Sequence, residues 1–448
     1  MLNEGKALDM DVSALLKKYD VPAPRYTSYP TAVHFNDEIT QNHYSNELSA
    51  LSSDKSVSLY VHIPFCHILC HYCGCNTKVA NSYGPAEEYL KTLFKEIDLT
   101  GKALSHRVPV SHLHFGGGSP NFLKGEDLQR IRNKLAEYFD FNEDSEIAIE
   151  TDPRLMNKEK IQGLADAGFT RVSLGVQDFD PKVQKAMNRI QPFETVEETV
   201  LGLRKSGIDK INFDLMIGLP LQTLEIVRRN VELALSLSPN RFAVFAYAHV
   251  PWMKKHQKLL EQYEMPGTQM RFDMGMVIKE TLEGAGYKAI GIDHFVREDD
   301  HLYQTFKTGD LRRNFQGYTD DQAQTIIGFG VSSITSFEGS YVQKATGAPE
   351  YRSDIENDQF PIMRGCILTG EDKVRRSLIE QIMCGYRTDI SAYPETRASL
   401  RQFEGEGIIQ IDGDTIQITD RGWPFARMVA ACFDTYYVPQ EGQHAKAI

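Results

Sequence analysis

The chain reads as an α/β protein built on a partial or complete (β/α) barrel, with an N-terminal arm before it and a smaller helical, winged-helix-like domain after it. Three observations carry this reading. Apolar runs suited to buried strands recur with amphipathic helical stretches between them, the order expected of βα units on a parallel sheet. Residues of unusual chemistry fall at or near the C-terminal ends of those runs, the rim where barrels build their sites. After about residue 340 the alternation gives way to helices and one hairpin.

In chain order, residues 1–50 form the arm, with "PRYTSYPTA" (Pro24–Ala32) as its ordered-looking piece. Residues 51–340 hold the barrel, whose strands are "VSLYVHIPF", "VSHLHFGGG", "SEIAIET", "RVSLGVQ", "KINFDLMIGLP", "RFAVFAYAH" and "YKAIGIDHF". Between them lie amphipathic stretches such as "NKEKIQGLADAG", and Gly168 and Gly207 read as helix C-terminal caps. Right-handed crossovers curl such units toward a barrel; a doubly wound open sheet is the alternative. Residues 341–448 form the second domain, where "DKVRRSLIEQIMCGYR" is helical and "GIIQIDGDTIQITDRG" is a hairpin about a Gly-Asp turn. The hairpin is acidic, so a lid or packing role suits it better than DNA binding.

Of the 448 residues 41% are hydrophobic, and the net charge is −12. That charge disfavours a nucleic-acid partner, which needs a broad basic face. No 18-residue window is both apolar and uncharged, and the N-terminus lacks a signal-peptide pattern, so no membrane span is expected and the compartment is the cytoplasm. Thiols stay reduced there, and four of the seven cysteines crowd into Cys66–Cys75. Metal or redox chemistry is therefore favoured over disulfides.

The rim residues collapse into one mouth: Cys66 follows the first strand, Gly116–Gly118 the second, Glu150 the third and Gln177 the fourth, Asp214 lies in the fifth, and His249 follows the sixth. The spacing C-x3-C-x2-C suits an iron–sulfur cluster. Zinc sites usually pair two distant knuckles, and no second knuckle follows. If only Cys66, Cys70 and Cys73 ligate, one iron stays open for a chelating small molecule. Cys75 is the alternative fourth ligand, although its single-residue step from Cys73 makes that fit awkward. His62 reads as a satisfied core histidine, and Cys366, Cys384 and Cys432 as buried small apolar residues.

The cysteine spacing with Tyr72 before the third cysteine, followed by "GGG", is similar to the radical S-adenosylmethionine (SAM) enzymes. More narrowly, "PRYTSYPTA", "YVHIPFC", "CGCN", "HFGGGSP", "IETDPR", "SLGVQDF", "NFDLMIGLP", "YAHVP", "RNFQGYT", "GVSSI" and "ACFDTY" resemble the oxygen-independent coproporphyrinogen III oxidase family nearly end to end. Phe115 stands where that family has Trp, and Tyr72 where Phe is usual. The related haem-chaperone branch lacks a thiol like Cys75 and the "NFQGYT" segment. The resemblance implies a barrel of radical SAM type and a 5′-deoxyadenosyl radical that turns two propionates of coproporphyrinogen III into vinyls, giving protoporphyrinogen IX and CO2. It implies one [4Fe-4S] cluster on Cys66, Cys70 and Cys73, and a first SAM at Tyr60, Gly117, Glu150 and Ile334. It implies a second SAM at Tyr72, Gly118, Ser119, Gln177, Arg189, Asp214 and Ala248, and a catalytic role for Cys75. Propionates are expected at Arg312, Arg313, Gln316, Tyr318 and Arg25, because an Arg fork matches a carboxylate. The chain is expected to act as a monomer with a separate reductant and electron acceptor. A haem- or cluster-binding carrier on the same scaffold is the non-enzyme reading, separated from it by turnover.

Overall fold

A computed structural model describes residues 5–438; residues 1–4 of the arm and 439–448 of the C-terminal domain lie outside the described residues. Twelve strands form one sheet. They are β1 (Val57–Ile63), β2 (Val108–Gly117), β3 (Phe139–Thr151), β4 (Arg171–Gln177), β5 (Lys210–Ile217), β6 (Arg241–Ala246), β7 (Lys288–Ile290), β8 (His294–Val296), β9 (Ile326–Phe329), β10 (Ile334–Ser336), β11 (Ser340–Lys344) and β12 (Ile362–Ile367). Their spatial order is β12-β11-β10-β9-β1-β2-β3-β4-β5-β6-β8-β7. Strands β1 to β6 follow one another in parallel, and β9 lies parallel to β1 on its other side. A single winding direction excludes the doubly wound alternative, and the unpaired ends β12 and β7 make the barrel partial.

The crossovers are α2 (Gly84–Ala103), α3 (Gly125–Leu135), α4 (Lys158–Asp166), α5 (Phe193–Lys205) and α6 (Leu224–Ser236), and α7 (Thr268–Gly284) leads on to β7; a helix α1 (Gly5–Tyr19) precedes the barrel. Along β1 the fully buried Leu59, Val61 and Ile63 share one face, and Ser58, Tyr60 and His62 alternate with them on the other. Each of the three aliphatic side chains contributes about 1.5 to 3 kcal/mol on leaving water. Gly168 and Gly207 end α4 and α5 as caps, with φ of +77° and +84°. Ion pairs Glu146–Arg171 (2.8 Å) and Arg241–Asp300 (2.6 Å) lie at the N-terminal ends of β4 and β6.

Two expectations change. "YKAIGIDHF" is not one parallel strand: it reverses at Gly291 into the antiparallel pair β7 and β8, and β8 also runs antiparallel to β6. A division after residue 340 cuts between hydrogen-bonded strands, since β11 and β12 belong to the sheet. The proposed boundary moves to Thr369, which caps α8 (Gly370–Met383) in a capping box with Asp372.

Beyond it, α8, α9 (Arg397–Gly405) and α10 (Ala426–Ala431) pack with a small sheet of Thr388–Asp389, Ile409–Asp412 and Thr415–Ile418, the last two forming the expected hairpin. This unit shares one apolar core with the arm: Leu15, Leu16, Tyr19, Tyr26 and Tyr29 pack among Ile379, Phe403, Phe425 and Phe433. Two distant motifs are joined there. Tyr26 Oη donates to Asp434 Oδ2 at 3.1 Å, and Tyr29 Oη lies 3.0 Å from Thr435 Oγ1. The arm is thus tied to the second domain, and Arg25 Nη2 donates to Ala246 O (3.1 Å) at the end of β6. No helix among the described residues is long and apolar enough to cross a membrane.

Candidate active site

The loop after β1 carries the cysteines and is pinned at its backbone. His71 N donates to Met187 O (2.9 Å), Gln257 Nε2 to Tyr72 O (3.0 Å) and Lys254 Nζ to Cys75 O (2.8 Å), and His256 Nε2 lies 2.9 Å from Cys73 O. The glycine run at the end of β2 lies against it, with Gly118 N bonded to Ile63 O (2.9 Å) and Ser119 N to Phe65 O (2.8 Å). Side chains do not fit there. A Cβ on Gly117, whose φ is +123°, would meet Ile63 O at 2.8 Å, and one on Gly118 would come 3.0 Å from Cys66 Sγ.

Cys66, Cys70, Cys73 and Cys75 all border one cavity of about 350 Å³ inside the rim. Among the described residues no three His, Cys, Asp or Glu side chains gather as the ligands of a single ion would. The four thiols border that one cavity, and closely spaced thiols are the donor set of an iron–sulfur cluster. Positive charge stands behind them: Arg154 Nη2 and Arg189 Nη1 each lie 3.7 Å from Cys70 Sγ. Asp152 Oδ2 holds both arginines, at 2.6 Å and 3.1 Å. Burial alone would raise the Asp152 pKa, and Arg189 and Arg154 pull it below the ordinary carboxylate range. Arg189 is buried and borders the cavity, and its Nε has no hydrogen-bond partner. Burial pushes the Cys66 thiol up to about 11, whereas the neighbouring Cys75 pulls the Cys73 thiol below its ordinary value.

Of the residues expected at the first SAM, Gly117 and Glu150 border this cavity. Glu150 Oε2 accepts from Gly117 N (3.3 Å), and Oε1 lies 3.2 Å from His114 Nε2. Tyr60 lies just behind them, its hydroxyl 3.1 Å from His62 Nδ1 and its ring stacked on His114. His62 is buried with both ring nitrogens engaged, Nε2 lying 3.0 Å from Asn76 O. Ile334 is not brought in; it packs beside Phe35 and Tyr341.

Tyr72, Gly118, Ser119, Gln177, Arg189 and Asp214, expected at the second SAM, all border the cavity. Gln177 holds φ +66° at the end of β4, a conformation side chains rarely adopt. Asp214 is enclosed by protein with part of its surface on the cavity. Burial, then the neighbouring Glu150, pushes its pKa up to about 7, against hydrogen bonds from Ser173 and Asn212. Ala248 borders an adjoining cavity of about 990 Å³ that shares Phe245 with the first, and its carbonyl accepts from Gln257 Nε2 (3.3 Å), the donor that also reaches Tyr72 O.

The residues expected for propionates are not gathered in one place. Gln316 and Tyr318 border the thiol cavity, where Tyr318 Oη is spent on Met383 O (2.7 Å). Arg312 is committed to Glu380 (2.9 Å), and Arg313 is buried over the Tyr318 ring at 4.3 Å. Both line a separate small cleft. Arg25 faces the large cavity. Cys366 and Cys384 are buried and Cys432 half-buried. Sequence reasoning assigned no role to Asp152, Arg154, His114 or Ser173, though the first two follow Glu150 directly within "ETDPR", where the rim rule already pointed.

The radical SAM superfamily model matches residues 60–234. The oxygen-independent coproporphyrinogen III oxidase of Bradyrhizobium diazoefficiens is 39% identical, covering 95% of this chain and 97% of that protein. The enzyme of the same name from Escherichia coli is 36% identical over 96% of each. The solved structure of coproporphyrinogen III oxidase from Escherichia coli, described as a radical SAM enzyme, is 34% identical with a TM-score of 0.89, covering 95% of this chain and 99% of that one.

Proposed function

This chain belongs to the oxygen-independent coproporphyrinogen III oxidase family of the radical SAM superfamily, and on that premise we propose that it converts two propionates of coproporphyrinogen III to vinyl groups in haem biosynthesis, releasing CO2 and forming protoporphyrinogen IX. The observation that carries the reading is the meeting of Cys66, Cys70 and Cys73 with Gly117 and Glu150 on one rim cavity. The three thiolates would hold a [4Fe-4S] cluster with one iron open to SAM. When bound, cluster and SAM supply one-electron SAM cleavage and removal of a hydrogen atom from the propionate β-carbon, after which CO2 leaves and one electron passes to an acceptor.

The chain's own residues prepare that chemistry. Arg154 and Arg189 set positive charge against the Cys70 sulfur, where an anionic thiolate belongs. Glu150, oriented by the Gly117 N–H, turns a carboxylate toward the cavity for an ammonium or hydroxyl of the first SAM. Tyr72, Gly118, Ser119, Gln177, Arg189 and Asp214 form the site for a second. Cys75, beside the ligands but one residue from Cys73, serves as a catalytic thiol. Arm and C-terminal domain cover the rim and keep bulk water from the reacting carbon. We place the enzyme in the cytoplasm, working as a monomer with external electron donor and acceptor.

Anaerobically purified protein should carry about four iron and four sulfide per chain, lost in Cys66→Ala, Cys70→Ala or Cys73→Ala. Zinc in place of iron would contradict this.

A further inference from the structure

The thiol cavity, about 350 Å³, is lined in part by the residues assigned to cluster and SAM, and a tetrapyrrole needs more room. The adjoining cavity, about 990 Å³, reaches the upper end of the size range of ligand sites, roughly 300 to 1,000 Å³. It lies between β6, α7, the arm and the segment before α10, and Phe245 is common to both cavities. We infer that this cavity is the tetrapyrrole chamber, and that Arg25 of the arm holds one of the substrate's propionate carboxylates in it. The inference rests on the coproporphyrinogen reading above.

Three features point there. Arg25 is surrounded by protein yet keeps a large share of its surface accessible, because that surface faces the cavity. One of its five donors goes to Ala246 O at 3.1 Å, next to Phe245 at the junction, and the planar fork that remains suits a carboxylate. Its backbone is fixed on both sides: Arg313 Nε donates to Arg25 O (3.4 Å), and Tyr26 is held at φ +48° by burial and its bond to Asp434. Burial and the nearby Arg313 guanidinium hold the Arg25 pKa below its ordinary value against the pull of Asp293, so an incoming carboxylate relieves an electrostatic penalty.

The walls suit the rest of the ligand. Phe245, Tyr247, Trp252, Phe272 and Trp423 offer aromatic surface to an apolar macrocycle. Asp293, which shares this cavity and acts on Arg25 through its charge, is engaged by His294 Nδ1 at 2.6 Å. Of the five residues expected for propionates, Arg25 is the one on this cavity.

The test is a fluorescence titration of coproporphyrin III, and of its uncharged tetramethyl ester, against the reconstituted full-length protein under argon. Arg25→Gln should raise the dissociation constant for coproporphyrin III about 10- to 100-fold, the worth of a charge-assisted bond, and leave that for the ester unchanged. Gly275→Phe is an independent plug. Gly275 lies within α7 on the cavity wall, where a new Cβ meets only Ile217 Cδ1 at 3.8 Å, and a side chain there also favours the helix. It should abolish binding of both ligands while iron content and SAM binding persist. Native-like binding by both variants would overturn the chamber, and native-like binding by Arg25→Gln alone would overturn the role of Arg25. If the unaltered protein, cluster intact, binds no coproporphyrin III, it is the functional reading that fails.

Discussion

Arg189 and Asp152 form a buried ion pair, Nη1 to Oδ2 at 3.1 Å, and the same Nη1 lies 3.7 Å from the sulfur of Cys70. One guanidinium thus ties the end of β3 to the cysteine loop; its Nη2 also donates to Gly175 O at 2.6 Å.

Arg189→Met should therefore act on stability as well as on cofactor binding. Removing one member of a buried pair typically costs about 3 to 5 kcal/mol, because a charge is left uncompensated. Arg154 stays on Asp152, so the lower figure is expected. Urea unfolding of the full chain measures it, and SAM titration should show weakened affinity with the cluster still assembled. A variant as stable as the native protein would show that the pair contributes only position.

Asp214 gives a pH signature. Its folded pKa is about 7, against roughly 3.9 unfolded. Between these values the folded chain keeps a proton that the unfolded chain has released, so this group's contribution to stability falls as pH rises from about 4 to 7 and is flat above. Asp214→Asn removes that slope. Compared by urea unfolding at pH 5 and pH 8, the Asn variant should lose less stability than the native protein, by up to about 2.6 kcal/mol. Equal losses would mean that the carboxyl is ionised throughout.

Much of this was legible in the sequence for a physical reason. Buried parallel strands are rich in apolar residues, and their C-terminal ends carry the polar residues of a barrel site; those two constraints brought Glu150, Gln177 and Asp214 together in the sequence. What stayed hidden is tertiary. Arg189 finds Asp152 across 37 positions, and nothing local marks the pairing. Chain reversal at Gly291 leaves the apolar content of "YKAIGIDHF" unchanged, so periodicity could not split it. Strand β12 is half-exposed along its length, and such an edge strand lacks the apolar run that marks a buried one. Arg312 and Arg313 had the right chemistry for propionates, but Glu380 and the Tyr318 ring claim them.

Cys75 separates a catalytic thiol from a ligand. Only Gly74 separates Cys73 from Cys75, a closeness that suits two sulfurs with different partners better than two ligands of one cubane. Cys75→Ser should retain iron, sulfide and the cluster spectrum while losing protoporphyrinogen formation. Loss of the cluster would make Cys75 a ligand, and full activity would leave it a packing residue.

The most direct measurement of the central claim is an anaerobic turnover assay of the reconstituted full chain with SAM, a low-potential reductant and coproporphyrinogen III. Protoporphyrinogen IX should accumulate together with CO2 and 5′-deoxyadenosine, and Cys70→Ala should make none of the three. Stoichiometric tetrapyrrole binding with an intact cluster but no deoxyadenosine and no CO2 would contradict the account and make the protein a carrier.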